Sequence, residues 1–182
     1  MKKIKNIKNI YIGVIGLGYV GLPLSIRMGL KFPVIGYDVD KNRIRQLKKN
    51  IDSTNEVTKK ELIDKKNLIF TSHISDLSKC NFFIVTLPTP INKKNKPDLS
   101  IIKTATKDLS RYINKNDIIV YESTVYPGVT EEICAPIIEK YSGLKFNKDF
   151  FCGYSPERIN PGDKEKKIHT IKKVVSASTP AT

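Results

Sequence analysis

A stretch near the N-terminus, Ile12 to Leu24, limits what this chain can fold into more than any other. The run from Ile10 to Ile15 is apolar and rich in β-branched residues, as expected of a strand buried on both faces of a parallel sheet. Gly16, Gly18 and Gly21 follow at the spacing G-x-G-x-x-G. Gly16 suits a tight turn, Gly18 lets bare backbone approach a pyrophosphate, and Gly21 lets the next helix pack closely on the strand. That helix opens near Tyr19, carries Val20, Leu24 and Met28, and aims unpaired N–H groups and a positive dipole end at the same volume. A second apolar run, Val34 to Tyr37, ends in Asp38, 17 residues after Gly21. The carboxylate that accepts from a dinucleotide's ribose is expected at ~20. A carboxylate there repels a 2′-phosphate, so the pattern favours NAD over NADP. The plain alternative for Asp38 is a solvated turn or cap residue. Arg43 is open between contact with the adenosine and exposure on a helix.

The rest of the chain alternates strands with helices. Lys41–Lys49 reads as a helix with Asp40 as its cap and Ile44 and Leu47 inward, and Lys59–Lys65 as a short surface helix. Leu68–Thr71 and Asn81–Leu87 are the third and fourth strands, the latter closed by Pro88-Thr89-Pro90, where two prolines remove donors and turn the chain out of the sheet. Asp98 is the expected cap of a helix running to Arg111, with Leu99, Ile102, Ala105 and Leu109 at helical spacing. Asp117–Glu122 is a fifth strand, followed by a helix over residues 130–140, a further strand within Asn147–Tyr154 and a last short one within Lys172–Ala177. The order predicts a doubly wound, mostly parallel α/β sheet, in which ligands lie at the carboxyl ends of strands. Thr89 stands at such an end, where a cofactor contact and an ordinary turn threonine are equally compatible with the sequence.

The length, 182 residues, suits one well-buried domain. The formal charge of +14 suggests nucleic acid at first, but the lysines are scattered and interleaved with asparagines, without the aromatic spacing of a single-strand-binding surface, so no nucleic-acid partner is expected. Cys80, Cys134 and Cys152 are an odd number at irregular spacing. They fit neither a disulfide framework nor a metal site, and the expected compartment is the reducing cytoplasm. The basic first residues lack a signal peptide's apolar region, and no run approaches the ~20 apolar residues of a membrane span.

Five stretches together resemble one family, the UDP-glucose/GDP-mannose dehydrogenases, and most closely its UDP-N-acetyl-hexosamine branch. They are Gly16–Pro23, Gly36-Tyr37-Asp38-Val39-Asp40 with Arg43, Pro88-Thr89-Pro90, Glu122–Gly128, and Tyr154-Ser155-Pro156-Glu157-Arg158-Ile159-Asn160-Pro161-Gly162. The resemblance implies a Rossmann-like NAD-binding domain. It also implies an enzyme that oxidises C6 of a UDP-N-acetyl-hexosamine to the acid with two NAD, through a thiohemiacetal and a thioester on a cysteine, for polysaccharide precursors. By position, Gly16, Gly18, Tyr19, Val20, Gly21, Asp38, Arg43, Thr89 and Thr124 would contact NAD. Arg158 and Ile159 would belong to the sugar-nucleotide site, and Glu157 and Thr124 would serve the reacting centre.

The chain departs from the family in two ways. The family's nucleophilic cysteine, with its lysine and asparagine, comes from a central helix and second domain expected beyond residue 182, and none of the three cysteines here matches it. The whole of 1–182 is thus expected to be the NAD-binding part of a longer enzyme, binding NAD but turning over negligibly alone. The family's homodimer forms largely through the same missing helix, so this part is expected to be a monomer or weak dimer. Ala177 stands where the family often has glycine. Two other readings are open: a nicotinamide-dependent dehydrogenase of the 6-phosphogluconate or 3-hydroxyacyl type, and a non-catalytic nucleotide-binding module.

Overall fold

The computed structural model describes residues 9–92, 94–157, 172–180 and 182. Seven strands form one sheet: β1 Ile12–Ile15, β2 Val34–Tyr37, β3 Leu68–Thr71, β4 Phe82–Val85, β5 Asp117–Tyr121, β6 Phe150–Tyr154 and β7 Ser176–Ala177, in the order β3-β2-β1-β4-β5-β6-β7. All neighbours pair in parallel except β6 and β7, where Gly153 faces Ala177 across an antiparallel edge. The helices are α1 Gly21–Gly29, α2 Lys41–Lys48, α3 Lys59–Ile63, α4 Ser100–Ser110 and α5 Ala135–Ser142. The strand order reverses between β1 and β4, and the doubly wound reading holds.

Alternation along the strands builds one core on each face of the sheet. Val14 packs with Leu17, Leu22, Leu47 and Phe70 on one side, and Ile15 with Phe83, Ile102, Tyr121 and Ile138 on the other. Full burial of such a side chain contributes about 1.5–3 kcal/mol.

Local chemistry refines several boundaries. The first strand is Ile12–Ile15 rather than beginning at Ile10, and the fourth is Phe82–Val85, after which Thr86 keeps one ladder bond through its N–H to the Ile15 carbonyl and turns its hydroxyl onto the glycine loop. The first helix begins at Gly21, although Leu22 N–H already donates to Gly18 at 3.1 Å. Asp98 accepts from Ser100 N–H at 2.9 Å, one residue ahead of the α4 cap position. The helix expected over 130–140 opens as a π-helical segment, Val129–Cys134, and becomes α-helical only at Ala135. A 3-10 turn, Ile74–Lys79, was not anticipated. The asparagines are not mere compositional bias: Asn50, Asn55, Asn95, Asn116 and Asn147 all hold left-handed φ values, which asparagine tolerates better than most residues.

Candidate functional site

The glycine loop crosses the carboxyl ends of β1 and β4, and each glycine has a different job. Gly16 has φ +94°, a left-handed value that strains any L side chain. A Cβ at Gly21 would lie 1.8 Å from the Gly16 carbonyl oxygen and 2.4 Å from Thr86 Oγ1, so only glycine lets α1 sit this close. A Cβ at Gly18 would meet nothing within 4 Å. The space beside Gly18 is open, and among the described residues the N–H groups of Gly18, Tyr19 and Val20 have no backbone or side-chain acceptor. Three unpaired donors at a helix N-terminus beside a bare Cα suit an anion.

Side chains from distant segments hold that loop in shape. Thr86 directs its hydroxyl between the Ile15 and Gly16 carbonyls, at 3.0 and 2.8 Å. Asp38 accepts from Leu17 N–H at 2.8 Å through one oxygen and from Asp40 N–H at 2.9 Å through the other. Asp40 caps α2 by accepting from Asn42 N–H at 2.8 Å, which turns Arg43 inward. Arg43 is 7% exposed, not a surface residue. Its Nε donates to the Leu17 carbonyl at 2.9 Å, and its guanidinium pairs with Asp52 at 2.7 Å. Burial is the largest single influence on the Asp52 carboxyl and pushes its pKa up. Hydrogen bonds from Thr54, Val57 and Arg43 together outweigh it and leave the carboxyl below the ordinary carboxylate value. Leu17 is thus gripped at both polar ends of its backbone, while its fully buried side chain fills the space that Gly36 leaves.

Two further loops meet beyond β4 and β5. Ser123 donates to the Leu87 carbonyl at 2.7 Å, and Thr89 donates to the Thr124 carbonyl, so both expected threonines lie side by side. Thr124 itself is exposed. Beyond β6, Ser155 N–H continues the parallel ladder by donating to the Tyr121 carbonyl at 3.0 Å, so Glu157 leaves the same end of the sheet as Glu122. The buried Glu157 carboxylate lies 3.9 Å from Lys173 Nζ, and the same ammonium lies 2.5 Å from Glu122. Burial pushes the Glu122 carboxyl up, Lys173 opposes the rise, and Glu157 adds to it. Tyr19 connects this cluster to the glycine loop: its phenol is raised first by burial and then by the nearby carboxylates of Glu157 and Glu56.

A cleft of about 330 Å³ opens beside Asp38, lined by Ile15, Gly16, Tyr37, Val39 and Leu87 and, across it, by α4 residues including Ile101 and Asp108. Burial pushes the Cys80 thiol up to about 12 and raises Cys134 and Cys152 as well, so all three are inert packing residues.

The expected residues Gly16, Gly18, Tyr19, Val20, Gly21, Asp38, Arg43, Thr89, Thr124 and Glu157 thus line one edge of the sheet, while Arg158 and Ile159 lie outside the described residues. Thr86, Asp52, Glu122 and Lys173 were missed. A threonine and a glutamate closing apolar strands were visible as strand ends. Nothing local marks Asp52 or Lys173.

Residues 10–182 match the model of the UDP-glucose/GDP-mannose dehydrogenase family, NAD binding domain. The chain is 54% identical over 173 residues to the UDP-N-acetyl-D-glucosamine 6-dehydrogenase of Pseudomonas aeruginosa, covering 95% of this chain and 41% of that protein. It is 55% identical over 168 residues to Protein CapL of Staphylococcus aureus, covering 92% and 39%. The solved UDP-D-ManNAc dehydrogenase of Pyrococcus horikoshii superposes with a TM-score of 0.82 at 29% identity, over 92% of this chain and 41% of that one. The chain spans about two-fifths of the length of these relatives. With a glycine loop built for an anion and a carboxylate 17 residues on, the chain is an NAD-binding domain of the UDP-glucose/GDP-mannose dehydrogenase family.

Proposed function

We propose that this domain serves a nucleotide-sugar 6-dehydrogenase that oxidises the C6 alcohol of a UDP-N-acetyl-hexosamine to the uronic acid, supplying a polysaccharide precursor in the cytoplasm. The observation that carries the reading is the 54% identity to a UDP-N-acetyl-D-glucosamine 6-dehydrogenase across 95% of the chain. Bound NAD would accept the hydride, and two oxidations with one water take the alcohol to the acid. The N–H groups of Gly18, Tyr19 and Val20 receive the pyrophosphate, and Asp38 receives the adenosine ribose. Arg43 acts through the Leu17 carbonyl, keeping the loop in register. Thr89 and Thr124 border the nicotinamide end.

Glu157 takes a proton from the attacking water, with the Thr124 hydroxyl holding the water or the developing oxyanion. Arg158 and Ile159 contact the sugar nucleotide. The covalent nucleophile is a residue other than Cys80, Cys134 or Cys152, since all three are buried with raised pKa values. The complete enzyme is a homodimer and this part alone is monomeric or weakly dimeric.

Calorimetric titration with NAD tests the binding half: saturable heat is expected, and none at millimolar NAD refutes it. Incubation with NAD and UDP-N-acetylglucosamine, followed by absorbance of the reduced cofactor, tests the other half. Negligible turnover is expected, and sustained turnover by this chain alone would overturn the claim that the nucleophile lies elsewhere.

A further inference from the structure

The cleft beside Asp38 has a feature that binding the ribose does not use. Its walls are largely apolar, from Ile15, Val39, Ile74, Leu87, Ile101 and Ala105, as the faces of a flat heterocycle require. It nevertheless holds a second carboxylate, Asp108. β4 and β5 are parallel, so α4 runs back along the sheet between them, and Asp108 lies two turns beyond Ser100 at the mouth. That is about 12 Å deeper along the helix. Asp38 and Asp108 thus line the same cleft, one from the end of β2 and the other from α4. Tyr37 lines the same cleft, and the carboxylates of both Asp108 and Asp38 act on its phenol, after burial, to raise its pKa. The phenol is therefore a neutral hydroxyl that feels both carboxylates.

We propose that Asp108 reads the base of the dinucleotide: its carboxylate accepts the exocyclic amino group of a 6-aminopurine, while the Tyr37 hydroxyl donates to the neighbouring ring nitrogen. The inference rests on the NAD-binding reading and adds a specificity residue to it. An ionised carboxylate has only acceptor oxygens. A 6-oxopurine offers it another lone pair instead of a donor, leaving two acceptors face to face in a partly desolvated cleft.

The test is calorimetric titration of the chain with NAD and with nicotinamide hypoxanthine dinucleotide, its 6-oxo analogue, for the wild type, Asp108→Ala and Asp108→Asn. The wild type is expected to favour NAD by roughly tenfold or more. Asp108→Ala is expected to lose NAD affinity by a similar factor while holding the analogue as before, and Asp108→Asn, whose amide can donate to the 6-oxo group, is expected to bind the analogue at least as well as NAD, so that the preference disappears in both. Position 108 is half-exposed on a helix, where alanine is well tolerated. If Asp108→Ala should fail to fold, the shape-preserving Asp108→Asn decides. Equal wild-type affinity for the two dinucleotides, or a preference that survives in the folded variants, overturns the base-reading role and leaves NAD binding intact. Failure of the wild type to bind either one overturns both.

Discussion

Gly18 and Gly21 are three residues apart in one loop, yet alanine should affect them in opposite ways. At Gly21 the new methyl would stand 1.8 Å from a carbonyl oxygen and 2.4 Å from Thr86 Oγ1. Neither is the free end of a flexible chain, so α1 must withdraw from the loop by over an ångström. Overpacking of this kind costs about 1–3 kcal/mol, and losing the one Thr86 O–H hydrogen bond shared between the Ile15 and Gly16 carbonyls adds about 1 kcal/mol. The expected loss is ~2–4 kcal/mol, a large share of the ~5–15 kcal/mol that holds a domain together. At Gly18 the methyl meets nothing within 4 Å, and the φ is not left-handed. Gly18→Ala should leave stability unchanged or raise it by about 0.5 kcal/mol through a less disordered unfolded chain. The methyl instead occupies the approach to the Gly18, Tyr19 and Val20 N–H groups. Losing one or two charge-assisted hydrogen bonds there weakens NAD by roughly 10- to 100-fold. Urea unfolding gives the stabilities and calorimetry the affinities. Equal destabilisation by both variants, or full NAD affinity in Gly18→Ala, would refute the division of labour.

Three other outcomes are expected. Lys173→Met leaves Glu122 and Glu157 buried together without their shared cation, at a cost of about 3 kcal/mol near neutral pH. Because the Glu122 pKa is raised in the fold, the penalty should shrink as pH falls and Glu122 protonates; a penalty independent of pH in chemical unfolding would count against the carboxylate cluster. Asp52→Asn strands the Arg43 guanidinium and should destabilise by about 3 kcal/mol at pH 7. The Asp52 pKa is depressed in the fold, so its contribution is present above the ordinary value of 3.8 and lost as pH falls through the folded one. Wild type and variant should therefore converge in strong acid, and a constant gap there would argue against the pair. Finally, a chromogenic thiol reagent at pH 8 should modify none of the three cysteines until the chain is unfolded; rapid reaction of the native protein would contradict their burial.

Much of this molecule is written in short stretches of sequence. Backbone demands are local, so Gly16, Gly18 and Gly21 announce a turn, a bare approach and a tight helix contact from their spacing alone. Continuous β-branched runs mark the strands for the same reason: burial on both faces leaves no alternation to read. Asp38 was legible because its distance from the loop is set by one helix and one strand.

What the sequence could not show depends on which strands become neighbours. Arg43 offered two readings, cofactor contact or exposed helix residue. The fold buries it against the Leu17 carbonyl, 26 positions away, because β2 lies beside β1. Thr86 closes on a carbonyl 70 positions earlier because the strand order reverses between β1 and β4. Lys173 meets Glu122 across 51 positions because β7, which follows it, and β5, which precedes Glu122, flank β6 in one sheet. Sequence by itself determined the dinucleotide loop and the acid that faces it, since both follow from neighbouring residues. Only the tertiary structure decided which side chains brace that loop and how deep the adjoining cleft runs, since those depend on the order in which the sheet is assembled.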